Sequence, residues 1–108
     1  MNESSFQLEL LRDAQVVSDY WFAMCLIYAG YELVTIKQAG EKKFEYTVLC
    51  PRFDFEALKQ EFTSGQMQIA DARALSNTNS LLGRIVKDIS RTGRDYTNPD
   101  YERLMEDR

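Results

Sequence analysis

From Tyr20 to Ala29 every residue is apolar or aromatic. A helix at the surface of a globular domain carries one apolar stripe and one polar face. This run has no polar face, so the pattern predicts a helix from Ser18 to Gly30 that is covered on both sides. Its ends are marked. The Ser18 hydroxyl is suited to accept a bond from a backbone N–H left free in the first turn, and Asp19 to sit at the positive end of the helix dipole. Val17 and Phe22 have the spacing of a hydrophobic staple. Gly30 can take the left-handed conformation that closes a helix.

Beyond Gly30 the period changes from helical to alternating. Tyr31–Lys37 is rich in β-branched and aromatic residues. Phe44, Tyr46, Val48 and Cys50 fall on one face of a second strand, Lys43–Cys50. The polar segment Gln38–Lys42, with Gly40, has the length of a hairpin loop. Pro51 ends the second strand because it cannot donate to a ladder.

Asp54 is expected to cap a helix running to Ser64, with Phe55, Leu58 and Phe62 on one stripe and Gly65 closing it. Phe53 and Leu58 repeat the staple spacing. Gln66–Ala70 alternates again and suits a short third strand beside the hairpin. Asp71 then opens a helical stretch to Arg91, marked by Leu75, Leu82, Ile85, Val86 and Ile89. Ser76–Ser80 interrupts it with side chains that compete for backbone bonds, which predicts a break or kink there, a stronger helix from Asn79 to Arg91, and an end at Gly93.

The two ends of the chain read less simply. Phe6, Leu8 and Leu10 alternate with polar residues as a short edge strand or docking arm would, while Leu8, Leu11 and Ala14 equally suit a helical turn. From Thr92 onward the chain is polar, with a turn signal at Asn98-Pro99. Tyr96, Tyr101, Leu104 and Met105 allow one more short helix, and a mobile tail is the other reading. The pattern as a whole predicts an α+β fold: a central aromatic helix packed on an antiparallel β-hairpin or small three-stranded sheet, with two further helices. The 108 residues fit one domain, with an arm or edge strand over 1–17, the domain over 18–91 and a tail over 92–108.

Composition narrows the chemistry. The apolar fraction, 44%, is ordinary for a globular protein. A net charge of −4 disfavours non-specific binding to nucleic acid or anionic membranes. There is no histidine, which removes the commonest general base and metal ligand, so neither a Ser-His-Asp nor a Cys-His apparatus can be built from this chain. A zinc site would rest on Cys25, Cys50 and carboxylates alone. Those cysteines read first as buried thiols, with a disulfide between them geometrically open. Neither a P-loop nor a dinucleotide fingerprint occurs, so no cofactor is expected. Glu41, Glu45, Asp54, Glu56 and Asp71 each have an ordinary structural role, and no pair has the setting of a catalytic dyad. The expectation is therefore a protein that is not an enzyme. An apolar run half the length of a membrane span, and no charged-then-apolar leader, give the further expectation of a cytoplasmic protein without a membrane anchor.

Two features carry candidate function. Tyr20, Trp21, Tyr28 and Tyr31 crowd one short stretch. Most of it is expected to be core, with Trp21 or a tyrosine left at the surface as an anchor for a protein partner or a second copy of the chain. The second feature is basic. Arg84, Lys87 and Arg91 share a helical face, and Arg73 and Arg94 extend it. From Ala72 to Asp95 there are five basic residues against two acidic ones, which makes nucleic acid the alternative partner.

The stretch Ser18-Asp-Tyr-Trp-Phe-Ala-Met-Cys-Leu-Ile-Tyr-Ala-Gly30, followed by the Tyr31–Ile36 and Phe44–Leu49 strands and then Phe55–Gly65, resembles a family of small helix–hairpin–helix domains of unknown function. They are found in bacteria, phages and other mobile elements. The shared pattern is an alanine- and leucine-rich helix ending in Gly, a β-hairpin, and a short helix ending near Gly, and it spans residues 17 to 91. The family supplies no catalytic residues, and this chain is richer in aromatics and adds a charged tail. The resemblance implies a regulator or inhibitor that binds a host protein, an antiviral defence complex being one such target.

Overall fold

The computed structural model describes residues 13–106. The alternating Phe6, Leu8 and Leu10 lie outside that range. Along the described chain the order is β1 (Ala14–Val17), α1 (Tyr20–Tyr28), β2 (Glu32–Gly40), β3 (Lys43–Leu49), α2 (Arg52–Ser64), α3 (Ala72–Thr92), β4 (Tyr96–Thr97) and α4 (Tyr101–Glu106). The fold is α+β, with four antiparallel strands in the order β1-β3-β2-β4 and four helices among the described residues.

β2 and β3 pair through a tighter turn than expected, because β2 continues to Gly40 and only Glu41 and Lys42 lie between the strands. Lys42 takes a positive φ of 61° there. The third and fourth strands are not Gln66–Ala70. That segment has no ladder partner among the described residues and is largely exposed, following the close of α2 at Gly65 with a φ of 75°. The strands come instead from the flanks. β1 pairs with β3 from Ala14 opposite Leu49 to Val17 opposite Tyr46, and the buried Gln15 amide donates to the Cys50 carbonyl at 3.2 Å. β4 pairs with β2 through Thr35–Thr97 and Ile36–Tyr96.

Alternation in β3 sorts the two faces of the sheet. Phe44, Tyr46, Val48 and Cys50 join Phe22, Ala23, Met24 and Leu26 of α1, Phe55 of α2, and Leu82 and Ile89 of α3 in the main core. Leu49 points the other way, where it meets Val34 and Leu104 of α4, with Ala14 and Met105 packed alongside. Of the two readings of the tail, the short helix is the one seen.

Several helix ends differ from expectation for local reasons. Asp19, not Ser18, caps α1: one carboxylate oxygen accepts the N–H groups of both Trp21 and Phe22, at 2.9 and 3.1 Å. A carboxylate also opposes the helix dipole, which a hydroxyl does not. At the other end the N–H groups of Gly30 and Tyr31 bond to the carbonyls of Ile27 and Leu26, the paired closure that a positive-φ glycine permits. α2 begins at Arg52 after Pro51, with no side-chain cap. Asp54 lies within its first turn, and Phe53, 84% exposed, staples nothing.

α3 runs unbroken through Ser76–Ser80. The polar side chains that would compete with the helix are occupied without breaking it. The Thr78 hydroxyl donates back to the Ala74 carbonyl at 2.9 Å, and Asn79 receives the Tyr20 hydroxyl. Asp71 caps this helix by accepting from the Ala74 N–H, and Gly93 closes it with a φ of 73°.

Candidate protein-binding site

The tyrosines of the aromatic stretch are fastened inward by their hydroxyls. Tyr20 donates to the Asn79 side-chain oxygen at 2.6 Å and reaches the Asn79 carbonyl at 3.1 Å, tying α1 to the middle of α3. The Tyr28 hydroxyl accepts the Asp71 N–H at 2.9 Å, at the threshold of α3. Tyr31 donates to Asp54 at 3.2 Å, tying the end of α1 to α2. Burial raises the Tyr20 and Tyr31 hydroxyls above the ordinary tyrosine range, and for Tyr31 the Asp54 carboxylate adds to the rise. Each of these side chains is half-buried.

Trp21 is different. It is 57% exposed, although the next five residues, Phe22 to Leu26, are all buried. Its backbone is fixed by the Asp19 cap, and its indole stands edge-to-face on Tyr20, with ring centres 5.4 Å apart. Tyr20 in turn meets Tyr46 of β3 at 6.3 Å. Trp21 is thus an aromatic at the surface, backed by the half-buried Tyr20 and, behind it, the buried Tyr46. Phe53 is more exposed still but makes no ring contact among the described residues.

The basic set divides. Arg84, Arg91 and Arg94 line a groove of about 710 Å³ between α3 and β4, while Lys87 is exposed outside it and Arg73 lies near the start of the helix. Arg91 is held by Asp88 at 2.6 Å. Arg84 and Arg94 have no ion pair among the described residues. The groove joins a smaller, more apolar pocket through Leu81, Ile85 and Tyr96. That junction is not legible in the sequence, because Tyr96 belongs to a strand too short to show a period.

The carboxylates hold structural posts. Asp54 takes the Tyr31 hydroxyl, Glu56 faces Arg52 at 3.3 Å, Asp71 caps α3, and Glu41 and Glu45 stand exposed on the hairpin. Cys25 and Cys50 are buried, unpaired thiols. Burial, reinforced by Asp54, pushes the Cys50 thiol up to about 11, and burial with Asp19 raises that of Cys25. Among the described residues no cluster of three or more His, Cys, Asp or Glu could hold a metal ion, and no helix is long and apolar enough to cross a membrane. No protein-family model, curated protein or solved structure matches this chain.

Proposed function

We propose that this chain is a non-enzymatic protein-binding module whose contact with its partner centres on Trp21. In this reading α1 is the central helix of the domain, laid across the β2–β3 hairpin, and Trp21 is the part of it reserved for a partner. One observation carries the proposal: Trp21 stays 57% exposed while the hydroxyls of the tyrosines around it are hydrogen-bonded to other parts of the fold. A preorganised, half-exposed tryptophan loses little freedom on binding, and such residues supply a large share of interface energy. The resemblance of residues 17–91 to mobile-element domains favours a host protein as the partner and a regulatory or inhibitory outcome.

The test is capture from an extract of the natural host, followed by the mass of the purified complex, with wild type, Trp21→Ala and the Arg84→Glu/Lys87→Glu pair. Loss with Trp21→Ala alone, in a protein that still unfolds cooperatively, supports the proposal. Loss with the basic pair alone, together with salt-dependent retention of DNA or RNA, replaces it with the nucleic-acid reading. A complex of twice the chain mass would make the partner a second copy.

A further inference from the structure

A second surface, separate from Trp21, has its own chemistry. The pocket beside β4 holds about 170 Å³. That is below the roughly 300–1,000 Å³ usual for small-molecule sites and close to the roughly 150 Å³ that admits one benzene-sized group. Its walls include Ile27, Leu33, Leu82 and Ile85. Two of the polar groups at its edge are already engaged. Thr78 donates to Ala74, and the Asn98 side chain donates to the Leu33 carbonyl at 2.7 Å while accepting the Asp100 N–H. A pocket of this size with mainly aliphatic walls has room for one apolar side chain.

Its surroundings give the flanks of that side chain a sign. Toward Glu32 the rim is acidic. In the other direction the pocket opens into the groove, where the Asp88 carboxylate is taken by Arg91 and that of Asp95 by the Gln38 N–H at 3.0 Å. Asp95 keeps its charge, and Arg84 and Arg94 are the cations of the groove without an ion pair among the described residues. Guanidinium forks match carboxylates in pairs. The same forks suit phosphates, but three arginines against Asp88 and Asp95 leave the groove one positive charge in a chain of net charge −4, little for a run of phosphates, and the floor offers only half-buried Tyr96 as a ring for stacking.

We propose that this groove binds an acidic segment of a partner protein, with one aliphatic side chain in the pocket and its carboxylates on Arg84 and Arg94. Because β4 is an edge strand among the described residues, the segment lies in extended form along it. The surface goes beyond the Trp21 reading and does not depend on it.

The test uses the full chain and a fluorescein-labelled peptide with a central leucine flanked on one side by aspartate and glutamate. Fluorescence anisotropy at low salt is compared with a leucine-to-serine peptide and a labelled oligothymidine. The expected result is saturable binding of the leucine peptide, weakened about tenfold or more by Arg84→Glu with Arg94→Glu. Leu81→Asp, at the exposed rim, should weaken it similarly, and Trp21→Ala should leave it unchanged. No saturation up to about 1 mM would overturn the proposal, as would equal binding of the serine peptide or tighter binding of oligothymidine. Loss of peptide binding with Trp21→Ala would overturn the separation of the two surfaces.

Discussion

Gly83 sits in the interior of α3, where glycine costs about 0.8–1.0 kcal/mol relative to alanine. The nearest atom that a Cβ at this position would meet is the Tyr20 hydroxyl, at 3.6 Å, an ordinary van der Waals distance. Gly83→Ala therefore keeps the full backbone gain without displacing the α1–α3 contact, and should stabilise the protein by about 0.5–1 kcal/mol. For a domain of this size that corresponds to a rise in Tm of roughly 2–4 °C. Urea unfolding followed by far-UV circular dichroism measures it, with the single tryptophan as a second probe. The larger Gly83→Leu should have the opposite sign, losing about 1–3 kcal/mol by driving Tyr20 off Asn79. A destabilising Gly83→Ala would refute the reasoning, since it would mean that the helices approach more closely than 3.6 Å at this point.

Tyr20→Phe leaves the Asn79 oxygen half-buried without its donor and should cost about 1–2 kcal/mol. Asn79→Ala leaves the Tyr20 hydroxyl its backbone acceptor and improves helix propensity, so denaturant melts should show a change within about 0.5 kcal/mol. Leu104→Ala should cost about 2 kcal/mol and release α4, seen as faster hydrogen exchange at Val34 and Leu49 with the main core still protected. Alkali should destabilise the fold. Burial pushes Cys50 to about 11 and Tyr46 to about 12, so both keep their protons where the unfolded chain has lost them. Stability is full below the ordinary thiol value of 9 and falls as pH rises through the window to 11 and, for Tyr46, from 10 to 12. Tyr46→Phe should flatten the upper part of that decline, and stability that rises across it would contradict the assignment.

Local signals were the legible ones. Gly30, Gly65 and Gly93 close the helices expected of them because a positive φ is written in the residue itself. β3 shows its alternation over enough residues to be read, and β2 its β-branched and aromatic composition. β1 and β4 do not: four and two residues carry no usable period, and their partners Leu49 and Thr35 are distant in the chain. The continuity of α3 was hidden for a related reason. Thr78 reads as a helix breaker but bonds back to Ala74 within the helix, and Asn79 reads as one until Tyr20, 59 residues away, supplies a partner. The candidate site was half legible. The aromatic density around Trp21 is plain in the sequence, but a helix with no polar face cannot say which side stays open. Only the tethering of Tyr20 to α3, Tyr28 to Asp71 and Tyr31 to α2 singles out the tryptophan.

These tethers divide α1 into a part that holds the domain together and a part that faces outward. Trp21→Ala should then cost less than about 1 kcal/mol of stability, the contribution of one edge-to-face contact at the surface. Its effect on binding should be larger. With the captured partner purified, calorimetric titration of wild type and Trp21→Ala tests the central claim most directly. The account predicts a Kd at least about 30-fold weaker for the variant, corresponding to a loss of about 2 kcal/mol. An unchanged Kd in a folded Trp21→Ala protein would contradict it.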